Sequence, residues 1–521
     1  MKVALDYLKD KLLYPFKFDL LYFILLCAII SLPAFYQKLA YPEFFSLTLV
    51  LIFYAVTYIV VFLLDLNQHA TKVLKPVALI SYTVLSVINF YCIYMYNRWF
   101  SYIFIREIST ANMDEAREYM ETYITVKVVV LVVLLFLVTI VLYKFIAKVR
   151  IRMHNVIVSL AFIPLLVAPI RIWQHPDVTD AMITGRFTWN SDYIIDLRNY
   201  LSHPHISSPK NADNPIIIII IGESFTPSHS SLYGYEKVTN PLLQEKQKNG
   251  DLIVFSKVAS PQTYTVGTFK YLLNTHQFGM EGQNRWYKSI TLIEVMNVIS
   301  YRTAWISNSN YNGYWTSVIT GHANLCDEFI LLDKDGKRHQ YDGELLKCEI
   351  SQKDKPLAIF YHLFGQHTEY QERYPAEYDK FKPTDYPEYN DDAAKVVAAY
   401  DNATLYNDYV VNSLIEKYKN ENAVIFYFSD HGEDVYETDT NYYGHAKNTK
   451  DSYFAGRKIP FMIYLSPQYQ QLHPEMTKRI RQSSERKFCT DKLIYAVMDA
   501  IGCKFADNDD VEKYSLFSHN E

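Results

Sequence analysis

The chain has 521 residues, with 51 Lys and Arg against 56 Asp and Glu and a net charge of −5. That length exceeds one ordinary core, so at least two domains are expected. There is no basic tail and no long run of like charge, which counts against nucleic acid as a partner.

The first 175 residues contain five apolar stretches, roughly Phe18–Tyr36, Phe45–Leu64, Val77–Tyr96, Val128–Tyr143 and Val156–Ile172. A helix needs about 20 apolar residues to cross a bilayer core, within a range of about 17 to 25. The second and third stretches meet this, and Tyr and Trp at the flanks of the others suit the interface. Four further spans follow the first, and no small-residue cleavage site is evident, so a cleaved signal peptide is not expected. Five membrane helices are expected. Lys2, Lys9, Lys11 and Lys17 precede the first stretch, Lys72 and Lys75 lie in the second connection, and Lys144, Lys148, Arg150 and Arg152 lie in the fourth. The positive-inside rule then makes the amino terminus cytoplasmic and places everything after Trp173 on the opposite side. The third connection, Asn97–Thr125, is long enough for an amphipathic helix on the outer leaflet.

Residues 176–213 are rich in Pro, His, Asn and Ser and are expected to form a linker at the membrane surface. From residue 214 to 521, strand-like and helical runs alternate. Three continuous apolar runs, Pro215–Ile221, Leu357–Tyr361 and Val424–Phe428, suit strands buried on both faces of a mostly parallel sheet. Leu252–Ser256, Thr303–Ser307 and Pro460–Leu465 are further expected strands. Helices are expected around Thr268–Asn274, Ser289–Ile299, Ala393–Tyr418 and Asp491–Ile501. The alternation predicts a doubly wound α/β domain. Cys326, Cys348, Cys489 and Cys503 form an even set in a compartment expected to be oxidising. Pairing 326 with 348 and 489 with 503 is the simplest arrangement, although spacing does not determine connectivity.

Ligands of open α/β sheets collect at the carboxyl ends of the strands. The three apolar runs end at Gly222-Glu223-Ser224, at His362 with His367 beyond it, and at Ser429-Asp430-His431-Gly432-Glu433. Glu223, Asp430 and His431 are suitable zinc ligands. Thr265, in Ser260-Pro261-Gln262-Thr263-Tyr264-Thr265, can complete the set at the start of a helix, where the dipole favours developing negative charge. A threonine hydroxyl is a poor nucleophile until a metal lowers its pKa. His362, His367 and His445 are then candidates to hold a phosphoryl group or protonate a leaving oxygen. Each feature also has an ordinary structural explanation: an Asp-His pair caps strands, a loop threonine or surface histidine is common, and His362 could be a core residue. Their joint occurrence at several strand ends favours chemistry.

These residues resemble the phosphoethanolamine transferases, membrane-anchored members of the alkaline phosphatase and sulfatase superfamily. The resemblance rests on Gly222-Glu223-Ser224, Ser231-Leu232-Tyr233-Gly234-Tyr235, Thr239-Asn240-Pro241, Phe360–His367, Tyr400–Asp408 and Ser429–Glu433. It covers nearly the whole chain and is strongest for the branch that modifies heptose in the lipopolysaccharide core. It implies a multi-pass α-helical membrane domain (1–175), a linker (176–213) and a periplasmic sulfatase-type α/β domain (214–521), anchored in a bacterial inner membrane. It further implies a catalytic zinc on Glu223, Thr265, Asp430 and His431, with Thr265 as nucleophile. His362, His367 and His445 would contact phosphate or a second zinc. Phosphatidylethanolamine would be the donor and lipopolysaccharide (core heptose or lipid A) the acceptor.

The chain departs from the family pattern in four places. Pro261 stands where the lipid A-modifying branch has the first of two cysteines around the nucleophile, and no second cysteine follows. Phe225-Thr226-Pro227 replaces a common arginine. The interval from His431 to His445 is long. A substrate-contacting loop lysine has no match in Asn308–Thr316, where Asn308 or Asn310 could substitute. Other readings are a phosphoglycerol transferase acting on a periplasmic glucan or polymer, and a membrane-tethered binding protein without activity. A true sulfatase would need a modified Cys or Ser in a Cys/Ser-x-Pro-x-Arg context, which Ser260-Pro261-Gln262-Thr263 does not supply.

Overall fold

The computed structural model describes residues 19–40, 47–65, 68–96, 126–146, 205–208, 214–279, 289–308, 317–332, 340–351, 356–438, 442–445 and 449–518, with a few isolated positions among the first 165. The chain forms two compact units. The first contains four long helices, α1 (Leu20–Ala40), α2 (Leu47–Asp65), α3 (Gln68–Tyr96) and α4 (Val126–Ile146). Leu20–Leu39, Lys72–Met95 and Val128–Ile146 are long and apolar enough to cross a bilayer, and Val50–Asp65 is a shorter apolar stretch. Val129, Leu131, Val133, Leu134, Leu137, Val138 and Val141 on α4 are exposed, which suits contact with lipid because the helix satisfies its own backbone polar groups. The expected fifth span, 156–172, lies outside the described residues apart from an isolated position. So does most of the expected linker, though Ile206–Ser207 pairs antiparallel with Lys504–Phe505 and so joins the second unit.

The second unit is built on β1 (Ile216–Gly222), α5 (Pro241–Lys248), β2 (Leu252–Phe255), α6 (Thr265–Phe269), α7 (Leu292–Val298), β3 (Arg302–Ser307), α8 (Ser317–Ala323), β4 (Glu328–Leu331), β5 (Leu357–His362), α9 (Asp391–Tyr418), β6 (Ala423–Ser429), β7 (Phe461–Leu465) and α10 (Leu493–Ala500). The seven strands form one sheet in the order β2-β7-β6-β1-β5-β3-β4, with only β7 antiparallel to its neighbours on both sides. Side chains alternate across a strand, so the isoleucine run of β1 supplies both faces. Ile217, Ile219 and Ile221 enter one apolar cluster with Trp305, Phe426 and residues of α6, α7 and α10. Ile218 and Ile220 enter the other with Tyr361, Tyr427 and residues of α9. Each such burial contributes roughly 1.5–3 kcal/mol, and both faces must be apolar for the strand to lie centrally.

In the second unit the expected strands are present to within one residue at each end, and three of the four expected helices to within three; the helix expected over Thr268–Asn274 instead runs over Thr265–Phe269. The capping box of Thr291 and Glu294 starts α7. Asn390 accepts bonds from the Asp392 and Ala393 N–H groups at the start of α9. The short edge strand β4 and the short helices α5 and α8 escape the sequence pattern, because so few residues carry little periodicity. The cysteine pairing is corrected. Cys326, Cys348, Cys489 and Cys503 are all free. Cys326 packs with the Trp305 cluster and Cys348 with the α9 cluster, on opposite sides of the sheet, so the sheet itself keeps the first pair apart.

Helix α9 also braces α5. Asn240 makes no side-chain cap. Asp408 serves instead, accepting the Leu242 N–H at 2.9 Å and the Leu243 N–H at 3.0 Å. Asp408→Ala is expected to cost about 0.5–2 kcal/mol, typical of a lost helix cap. It should appear as a lower Tm of the detergent-solubilised chain by scanning calorimetry.

Candidate metal and nucleophile site

Strands β1, β5 and β6 lie side by side, so their carboxyl ends deliver Glu223, His362 and Asp430-His431 to one rim. The chain turns sharply after β1. Ser224 has φ +55°, a left-handed conformation that costs a non-glycine residue on the order of 1–3 kcal/mol. The surroundings hold it there. Its carbonyl accepts from the Tyr400 hydroxyl at 2.7 Å, and its own hydroxyl donates to Glu223 Oε1 at 2.9 Å. After β6, Gly432 leaves no room for a side chain, because a Cβ would lie 2.5 Å from the Lys458 carbonyl oxygen and 2.6 Å from that of Ala455.

Glu223, Asp430 and His431 are buried, and their ligand atoms lie within 4.8 Å of one another. His431 Nε2 is 3.0 Å from Glu223 Oε1 and 3.6 Å from Asp430 Oδ2. His431 Nδ1 is 2.9 Å from the Gly432 carbonyl oxygen. That oxygen only accepts, so Nδ1 carries a proton and Nε2 faces the carboxylates, the orientation a metal-bound imidazole needs. Thr265 opens α6, as expected. Its Oγ1 lies 3.1 Å from Glu223 Oε2 and 3.3 Å from His431 Nε2. Asp430 Oδ2 is buried without a hydrogen-bond partner, an arrangement native proteins avoid unless something else satisfies the atom.

The electrostatics agree. Burial alone would raise the Glu223 carboxyl, but the His431 imidazole bonded to it, with His367 and His445 nearby, outweighs that and holds it well below the usual range. Asp430 is pushed well above its usual value by burial and by Glu223. Burial opposes charge on His431, yet Asp430, Glu223 and Glu433 raise it to about 10. Two buried carboxylates facing one imidazole therefore draw protons into the space between them, and a divalent cation would replace those protons. The donor set of two carboxylates, one imidazole and one hydroxyl fits zinc.

Three more histidines were expected here, and the structure separates them. His445 lies beside the set, its ring 4.4 Å from that of His431. Its Nδ1 is 2.9 Å from Glu433 Oε2, and Glu433 Oε1 accepts from the Tyr370 hydroxyl at 2.6 Å. The long interval from His431 is thus no obstacle. His367 stacks on Phe364 and lies 6.5 Å from His445, ring to ring. His362 is fully buried behind them, its ring edge-on to Phe269 at 5.3 Å and its Nδ1 3.2 Å from Ser307 Oγ. Sequence patterns assign no role to Glu433 or Tyr370; the available signal is a glutamate two residues after His431. Asn308 is corrected. It is fully buried and donates to the Gln340 carbonyl and to Asp342, so it does not face a substrate. Asn310 lies outside the described residues.

The purified chain is expected to hold zinc measurable by plasma mass spectrometry. Asp430→Asn or His431→Ala should weaken zinc binding by more than about 100-fold, since loss of an orienting partner alone costs about 10–100-fold. A second expectation concerns His362, which burial holds down at about 4, against an ordinary 6.5. A depressed histidine contributes stability above its unfolded value and loses it as pH falls from 6.5 through 4. This amounts to roughly 3 kcal/mol at about 1.36 kcal/mol per unit. Denaturation in chelator should therefore show a shallower loss of stability over that window for His362→Gln than for the unaltered chain.

Residues 215–503 match the sulfatase family. The chain is 28% identical over 457 residues to phosphoethanolamine transferase EptC of Escherichia coli strain K12, spanning 80% of this chain and 77% of that protein. It is 27% identical over 469 residues to phosphoethanolamine transferase CptA of Salmonella typhimurium, spanning 81% and 78%. The crystal structure of the periplasmic domain of EcEptC from Escherichia coli in complex with Zn superposes with a TM-score of 0.55 at 27% identity, covering 62% of this chain and 91% of that one. The integral membrane lipooligosaccharide phosphoethanolamine transferase A of Neisseria meningitidis shares the fold over 96% of this chain and 98% of its own, with a TM-score of 0.65 at 20% identity. The fold is thus a multi-pass helical membrane part followed by an alkaline-phosphatase-like α/β domain.

Proposed function

The chain belongs to the sulfatase family, and from that premise we propose that it transfers phosphoethanolamine from phosphatidylethanolamine to lipopolysaccharide through a covalent intermediate on Thr265. The observation that carries this reading is the meeting of Thr265 Oγ1 with Glu223 and His431 at 3.1–3.3 Å. The relatives' names support the group transferred. The Zn complex of one structural neighbour supports the metal, which Glu223, Asp430, His431 and Thr265 would hold.

When bound, zinc supplies a Lewis acid that lowers the pKa of the threonine hydroxyl. The chain's own residues do the rest. Thr265 sits at the first position of α6 with Oγ1 turned to the carboxylates, so its proton has acceptors within hydrogen-bond reach. Oγ1 attacks the donor phosphorus, and the bond to the diacylglycerol oxygen breaks. That oxygen takes a proton from the imidazole side of the site, where Glu433 orients His445 and Phe364 supports His367. In the second half an acceptor hydroxyl or phosphate attacks the same phosphorus and Thr265 leaves; a hydroxyl acceptor returns its proton to the imidazole side that protonated the diacylglycerol oxygen. The apolar helices fit a lipid donor, because moving acyl chains out of a bilayer costs about 0.8 kcal/mol per methylene. With the amino terminus cytoplasmic and five crossings of the inner membrane, the site faces the periplasm.

Thr265→Ala should abolish release of labelled headgroup from phosphatidylethanolamine vesicles while leaving the chain zinc-bound. In the unaltered chain, trapping with donor alone should give a phosphoethanolamine mass increment on the peptide containing Thr265. Transfer at the original rate by the variant, or an increment on another residue, would refute the assignment.

A further inference from the structure

A buried carboxylate outside the ligand set holds the turn on which Glu223 rests. Asp342 precedes β5 in sequence and in space reaches the carboxyl end of that strand. Its Oδ1 accepts from the Phe364 N–H at 2.9 Å and the Asn308 amide at 2.8 Å, and its Oδ2 accepts from the Gly365 N–H at 2.9 Å.

The turn held by Asp342 is the one that touches Glu223. Gly365 has φ +53°, and a Cβ there would lie 2.8 Å from both the backbone nitrogen and the carbonyl oxygen of Glu223. The next residue, Gln366, donates its N–H to that carbonyl at 3.0 Å. Further along, Arg373 donates to the Thr368 carbonyl at 3.1 Å and lies over the Phe364 ring, on which His367 stacks. The segment from Phe364 to Thr368 thus carries His367 at one end and braces Glu223 at the other.

We infer that Asp342 is a positioning residue, fixing the Phe364–Gly365 turn so that Glu223 and His367 keep the arrangement the metal and the transferred group require. This rests on the reading of Glu223 as a zinc ligand. A carboxylate suits the place because all three partners donate; an amide would turn an N–H donor toward one of them.

The test is zinc affinity by chelator competition on the full detergent-solubilised chain, with kcat and KM for phosphatidylethanolamine measured alongside. Asp342→Asn should bind zinc about 10- to 100-fold more weakly, with kcat reduced, KM unchanged, and kcat recovering at saturating zinc. Gly365→Ala, which crowds Glu223 from the same turn with Asp342 intact, should reproduce the zinc defect and covers the case in which Asp342→Asn does not fold. Zinc affinity equal to that of the unaltered chain in either folded variant would overturn the inference. Absence of zinc binding in the unaltered chain would instead overturn the metal reading, and the inference with it.

Discussion

Two carboxylates and an imidazole are buried together at the ends of adjacent strands, and the surrounding structure is arranged around that concentration of charge. Burying ionised groups is costly unless they are paired. Here Glu223, Asp430 and His431 compensate one another only in part: Asp430 retains an unbonded oxygen and a raised pKa. A divalent cation would resolve the imbalance, and a hydroxyl placed 3.1 Å from the same cluster's Glu223 carboxylate stands where that cation would act on it.

Maintaining this arrangement requires rigid supports, and α9 supplies several. Tyr400 holds the strained Ser224, Asp401 accepts from Tyr235 and pairs with His229, Asn402 accepts from the backbone N–H groups of Lys380 and Phe381, and Asp408 caps α5. These side chains are polar yet buried, so each is retained by the partners it satisfies. The segment Tyr400–Asp408 therefore acts as a scaffold for the loops after β1, and it reaches the metal candidate Glu223 through Ser224 and, by way of Thr404, through Gln366.

The two apolar clusters impose the complementary constraint. A sheet covered on both faces leaves its strand ends accessible to ligands, which is why Glu223 and His431, remote from each other along the chain, meet at one rim. The separation of Cys326 from Cys348 follows from the same layering, since they pack on opposite faces.

The amino-acid sequence by itself determined the strands that carry the site, because the isoleucine run of β1 and the aromatic-rich run of β6 are short, bounded by turn residues and rich in strand-favouring side chains, which suits a doubly covered strand. It also located Glu223, Asp430 and His431, since each terminates such a run, and the apolar stretches of the first unit, whose length is a local property. Only the tertiary structure decided that His445 joins His431, that His362 lies behind the site among aromatic rings, that Asn308 is a buried brace, and that Asp342 holds the turn beneath Glu223. Those are contacts between distant segments, and no periodicity or spacing encodes a distance across the fold.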